Sequence, residues 1–184
     1  MTRAIVCAPY TADHREALLA ATTEMFDAGE EYPTPDQRAL GVEGYLDLDD
    51  TKTLARYVAL DDDRVVGHLT MSMPIWEPLQ RALAGYSHYY EVSRLFTVPD
   101  SRRRGVSREL LRYALMRADA YNVAVGLSYF PRVTPGAAAV YAAEGFLPLG
   151  KPGDFEAMES PEEPVQVMLR PVRPAGSVLG WVGA

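Results

Sequence analysis

The chain has 184 residues, of which 48% are hydrophobic and 23% charged, and its formal net charge is −7. That length supports one domain with a full core and is short for two, and the composition excludes a disordered body. The acidic balance speaks against non-specific nucleic-acid binding, which relies on cationic contacts to phosphate, and it suits a cationic small molecule such as an amine.

In chain order, residues 4–8 read as a first strand. It carries Cys7, the single cysteine, which has no intramolecular disulfide partner and implies a reducing compartment. In an apolar strand a free cysteine behaves as a small hydrophobe rather than a nucleophile. Residues 13–27 place Ala17, Leu18, Ala21, Met25 and Phe26 at helical spacing, with Thr11 as cap and Gly29 as terminator. Pro33 and Pro35 make a loop, and a short helix is expected within 36–46. Strands 53–60 and 64–73 flank the turn Asp61-Asp62-Asp63, a hairpin pattern with an acidic tip.

Residues 75–86 are ambiguous, and 89–98 read as a strong strand. A helix is expected over 106–120, with Leu110, Leu111, Ala114, Leu115 and Ala118 on one face. A strand at 123–130, an Ala-rich helix at 135–143 closed by Gly145, and strands at 146–149 and 165–169 complete the body. The order mixes hairpins with crossovers, which makes the chain α+β with a mixed sheet. Residues 1–171 are expected to form one domain and 172–184 a tail, whose Val178, Leu179, Trp181 and Val182 could dock elsewhere. No run approaches the roughly 18 apolar residues of a membrane span, and the N-terminus lacks an apolar leader, so a cytoplasmic location away from membranes is expected.

The chemistry concentrates in Leu95-Phe96-Thr97-Val98-Pro99-Asp100-Ser101-Arg102-Arg103-Arg104-Gly105-Val106-Ser107, where a strand enters a basic turn and then a helix. Such a turn aims backbone N–H groups outward beside the positive end of the helix dipole, an arrangement that binds anions. Gly105 permits close approach of a phosphate, and the arginines add charge beside it.

This stretch resembles the GNAT acetyltransferase signature Pro-Asp-x-Arg-x-x-Gly-x-Gly/Ala, with Arg102 and Gly105 in register and Ser107 where the family prefers Gly or Ala. A second segment, 137–146, is similar to the family's helix ending in Tyr-x-x-x-Gly-Phe, and Thr134 stands where the family often has Asn. The resemblance covers residues 50–150 and implies a GNAT-like fold, with a mostly antiparallel mixed sheet flanked by helices and splayed near residues 95–98. It implies an N-acyltransferase that takes acetyl-CoA or a related short acyl-CoA as co-substrate and a small-molecule amine as acceptor. It calls for no metal, and dimers are common among such enzymes.

By the same resemblance, backbone amides from Arg103 and Arg104 through Gly105, Val106 and Ser107 to Arg108 hold the pyrophosphate. The backbone of Leu95, Phe96 and Thr97 pairs with pantetheine as an added strand. Tyr141 becomes the general acid that protonates the leaving thiolate. Glu91 is the candidate general base, since period two aligns it with Ser93, Leu95 and Thr97 unless a bulge intervenes. His68 and His88 are alternative bases. The acceptor side is expected to draw on Trp76, Tyr86, Tyr89, Tyr90 and the region 30–45.

Glu91-Val92-Ser93-Arg94-Leu95 also resembles the Glu-x-Ser-Arg-Phe/Leu motif of acyl-homoserine-lactone and N-acyl amino acid synthases, which use longer acyl chains on acyl carrier protein. The arginines expected with that motif fall at Thr22 and Thr70. An Arg94–Glu91 ion pair is the plain structural alternative. A further alternative is a non-catalytic acyl-CoA-binding module, distinguished by whether Glu91 and Tyr141 converge.

Overall fold

The computed structural model describes residues 4–29, 33–48, 51–74, 76–151, 154 and 164–172. Most of the tail, including Trp181, lies outside them. Seven strands form one sheet in the order β1-β2-β3-β4-β5-β7-β6: β1 Val6–Pro9, β2 Thr53–Asp61, β3 Arg64–Ser72, β4 Tyr89–Thr97, β5 Ala124–Tyr129, β6 Leu147–Leu149 and β7 Gln166–Arg170. Among the described strands β4–β5 is parallel and the other pairs are antiparallel. The expected α+β architecture, a mostly antiparallel mixed sheet flanked by helices, is the one observed.

The helices are α1 Arg15–Asp27, α2 Pro35–Ala39, α3 Gly41–Leu46, α4 Glu77–Leu83, α5 Val106–Ala120 and α6 Ala137–Ala143. A short 3-10 turn, Ala12–His14, precedes α1. There His14 Nδ1 accepts from the Thr11 amide at 3.0 Å, in place of the Glu or Gln that the sequence lacks. The segment expected to hold one short helix breaks into α2 and α3 at Gly41, whose φ is +68°. The ambiguous stretch is resolved as α4. Its Leu79 and Leu83 are fully buried over Gly126, where an added Cβ would stand 2.6 Å from Leu79 Cδ1.

Helix α5 covers the opposite face. Gly67 lets it approach, since a Cβ there would lie 2.9 Å from both Val106 Cγ1 and the Phe96 carbonyl. Leu110, Leu111, Ala114, Leu115 and Ala118 of α5 are all buried, as their spacing requires. No helix among the described residues is long and apolar enough to cross a membrane.

Two features of β4 open the sheet. Its pairing with β3 steps from Thr70↔Ser93 to His68↔Phe96, so one β3 residue faces two on β4. This is a β-bulge at Arg94–Leu95, with Arg94 at φ +51°. The pairing of β4 with β5 covers only Tyr89↔Ala124, Tyr90↔Val125 and Glu91↔Gly126. Beyond that point β4 follows β3 while β5 follows β7, so the strands part after Glu91, several residues earlier than the sequence suggests.

Candidate active site

The opening between β4 and β5 is a cleft of about 1530 Å³. One wall is β4 from Glu91 to Thr97; the other includes Ser128, Tyr129 and Phe130 at the end of β5, with Val140 and Tyr141 of α6. Arg102 and Ser107, from the turn into α5 and its first turn, also line it, as do Asp36, Tyr45, Asp47, Lys52 and Trp76. A typical small-ligand pocket holds roughly 300–1,000 Å³, so this one accommodates an elongated ligand together with a second molecule.

The bulge changes the facing of β4. Glu91 and Ser93 share a face with Phe96, opposite Ser72, Thr70 and His68 in turn. Thr97 points to the other face, where its Oγ1 lies 2.7 Å from Ser107 Oγ at the start of α5. The expected alignment of Glu91, Ser93, Leu95 and Thr97 therefore stops at Ser93, because the extra bulge residue inverts the alternation. The Thr97–Ser107 bond also accounts for the serine at the signature's small position, since its hydroxyl has a partner.

At the helix end, Gly105 is the N-cap of α5 with φ +82°, and an added Cβ would meet no heavy atom within 4 Å. The N-terminus of α5 also carries the positive end of the helix dipole. The three arginines differ. Arg102 donates from Nε to the Thr97 carbonyl at 3.3 Å and lines the cleft. Arg104 pairs with Asp61 at 2.8 Å, which explains the acidic hairpin tip as a clamp on the basic turn. Arg103 is exposed at φ +59°, and Val106 is buried in the core. Arg103, Arg104, Gly105, Val106 and Arg108 are not among the residues lining the cleft. Arg64 braces the same turn by pairing with Asp100 at 2.8 Å and Glu24 at 2.7 Å. Its hydrogen bond, with that from Ser101, holds the Asp100 carboxyl below its usual range.

Tyr141 meets Tyr129 edge-on at 5.5 Å between ring centres and Phe146 at 6.0 Å. Thr134 lines the cleft and shapes the turn before α6: its amide donates to the Phe130 carbonyl at 2.9 Å and its hydroxyl to the same oxygen at 3.1 Å. Ser93 Oγ is buried with no hydrogen-bond partner among the described residues, two positions from Glu91 on the same face. Sequence reasoning did not anticipate the Tyr129 contact with Tyr141 or the Ser93 hydroxyl that is unpaired among the described residues. The only signal was their position at a strand end and two residues from an acidic candidate.

Several expected residues lie elsewhere. His88 is exposed and outside the cleft. Tyr86 and Tyr89 pack on the cluster around Leu79 and Leu83, and Tyr90 packs on the main core. Arg94 does not pair with Glu91; its Nε donates to the Tyr45 carbonyl at 2.5 Å and its NH2 lies 3.9 Å from Asp47. Thr22 and Thr70, the positions that would need arginine in the synthase resemblance, are fully buried. Cys7 is half-buried in β1, and burial, with a smaller contribution from Glu109, pushes its thiol up to about 11, which leaves it protonated at neutral pH.

His68 is fully buried beneath the bulge, with Nδ1 3.3 Å from the Arg94 carbonyl. Burial pulls its pKa from 6.5 down to about 3; the Arg94 carbonyl opposes the shift, and Arg56 and Arg94 add to it. It is therefore neutral and structural. Because the folded value lies below the unfolded one, the unfolded chain takes up the extra proton first. The stability held by neutral His68 is complete above about pH 6.5 and drains away as pH falls toward about 3. Unfolding by urea from pH 7 down to pH 4.5 should lose stability more steeply in the parent than in His68→Gln; equal slopes would remove His68 as the cause.

Comparisons with known proteins converge on one family. Residues 16–146 match the model of the acetyltransferase (GNAT) family. The fold is similar to the ribosomal-protein-S18-alanine N-acetyltransferase from Escherichia coli, with a TM-score of 0.66 at 13% identity, covering 97% of this chain and 100% of that one. It is similar to a GCN5-related N-acetyltransferase from Kribbella flavida, with a TM-score of 0.66 at 22% identity over 92% of this chain and 98% of that one. It also matches the "histone acetyltransferase HPA2 and related acetyltransferase" from Corynebacterium glutamicum, with a TM-score of 0.66 at 21% identity over 94% and 98% of the two chains. No curated protein sequence matches the chain.

Proposed function

Because the chain belongs to the GNAT acetyltransferase family, we propose that it moves an acetyl or other short acyl group from acyl-CoA to the amine of a small molecule by direct attack. The observation that carries this reading is the parting of β4 and β5 after Glu91. It sets Glu91 and Tyr141 on the walls of one cleft that runs to the α5 N-terminus.

The residues present fit a CoA nucleotide. A Cβ at Gly105 would meet open space, α5 begins at the next residue with its unpaired N–H groups, and β4 has no β5 partner beyond Glu91. Bound acyl-CoA supplies the thioester carbon that the amine attacks. Backbone groups of Leu95, Phe96 and Thr97 hold the pantetheine arm in the sheet-edge mode, and amides from Arg103 to Arg108 hold the pyrophosphate. Glu91 removes the proton that the ammonium must lose before attack. Tyr141 donates its phenolic proton to the departing sulfur. An acceptor amine takes the part of the cleft beside Glu91, with Asp36 and Trp76 among its lining residues. A cytoplasmic location agrees with the lone cysteine.

Tyr141→Phe tests the acid. A thiol of ordinary pKa near ~8.5 leaves tolerably well unprotonated, so the loss in kcat should be moderate, roughly tenfold to fiftyfold, with acetyl-CoA affinity unchanged. A kcat within about twofold of the parent would remove Tyr141 from the mechanism.

A further inference from the structure

Helix α6 is an unusual platform for a catalytic side chain. It has seven residues, five of them alanine, and none is buried. A helix this short has little stability of its own, so external contacts decide where Tyr141 stands. One hold is Phe146, which is 1% exposed and whose amide donates to the Tyr141 carbonyl at 3.1 Å. Another is Glu144, the C-cap of α6, whose amide donates to that same carbonyl at 3.0 Å.

The Glu144 side chain is only 11% exposed, and its Oε1 accepts from Arg108 Nε at 2.7 Å and from Arg112 Nε at 2.9 Å. Both arginines stand on α5, the helix whose N-terminus faces the expected phosphate site. The Glu144 main-chain carbonyl accepts from Arg170 Nε at 3.1 Å. Arg170, 3% exposed on β7, grips Asp119 of α5 with two hydrogen bonds of 2.6 and 2.7 Å. Two cations on one low-exposure carboxylate, closed by a second ion pair to the same helix, make a rigid strut rather than a surface salt bridge. A carboxylate beside the first turns of α5 is also favoured by the helix dipole.

We propose that Glu144 is a positioning residue that locks Tyr141 to α5, so that the proton donor and the phosphate-binding helix keep a fixed separation. This rests on the reading of Tyr141 as the general acid. A displacement of about an ångström at a reacting group costs up to ~10²-fold in rate, so a loosened strut is felt in catalysis before binding.

The test is a double-mutant cycle of Glu144→Ala and Tyr141→Phe, followed by kcat, acetyl-CoA affinity and thermal midpoint. Glu144→Ala should lower kcat about fivefold to tenfold with acetyl-CoA affinity within about twofold. In the Tyr141→Phe background it should cost nothing further, since the group it positions is gone. Multiplied effects, or a loss that appears only in affinity or stability, would overturn the proposal. A Tyr141→Phe variant with parental kcat would sink the general-acid reading itself and this inference with it. Should Glu144→Ala fail to fold, the cycle is repeated with Arg112→Ala, which removes the other cation on that carboxylate, and with Glu144→Gln, which keeps one acceptor oxygen and should retain most of kcat.

Discussion

Replacing Glu91 by glutamine is expected to lower kcat/KM for the amine by roughly 10²–10³ at neutral pH, the range for loss of a positioned general base. Glutamine keeps the size and one acceptor oxygen, so the pairing of Glu91 with Ser72 and Gly126 persists and the cleft keeps its shape. Acetyl-CoA affinity should stay within about twofold of the parent, because the lost interaction forms only as the amine sheds its proton. The pH profile gives the more telling readout. An amine deprotonates unaided as pH rises, so the deficit should shrink toward high pH and the variant's rate should keep climbing where the parent levels off. A drop of less than about threefold at neutral pH would remove Glu91 from the mechanism.

Gly105→Glu should weaken acetyl-CoA binding by about 100-fold or more, which is about 2.7 kcal/mol. Two effects add. At φ +82° a side-chain-bearing residue is strained, so the turn shifts and the α5 amides lose their aim. The new carboxylate then reaches into open space at the start of α5 and repels a phosphate approaching that helix end. Gly105→Ala separates the two, carrying the strain without the charge, and should cost distinctly less. Unchanged affinity in a folded Gly105→Glu variant would mean that the nucleotide binds elsewhere.

Legibility in the sequence followed the range of the interaction. Helix α5 begins and ends at the residues its pattern indicates, because its apolar face, Gly105 before it and the turn at Tyr121 and Asn122 are all local signals. The bulge on β4 was not legible, since it depends on register against β3 and places Arg94, a residue without glycine's freedom, at φ +51°. Without the bulge, simple alternation carries Thr97 to the wrong face. Helix α4 was hidden for a similar reason: Leu79 and Leu83 find their pocket only because Gly126, distant in sequence, leaves room for them.

The site shows the same division. Glu91 and Tyr141 follow from the resemblance to GNAT enzymes, and both stand on the cleft walls. The aromatic run at residues 86–90 looked equally suited to an acceptor, yet Tyr86, ahead of β4, and Tyr89 and Tyr90, on it, are taken up in packing. The basic turn reads as uniformly cationic, whereas its arginines are divided among the Thr97 carbonyl, Asp61 and solvent. Composition reports charge, and only the fold reports which charges are already engaged.

The central claim is that the cleft between β4 and β5 binds acyl-CoA, and a calorimetric titration with acetyl-CoA, alongside free CoA and octanoyl-CoA, tests it most directly. The account predicts micromolar binding of acetyl-CoA with one site per chain and no advantage for the longer acyl group. Silence for acetyl-CoA, or tight binding confined to octanoyl-CoA, would contradict it.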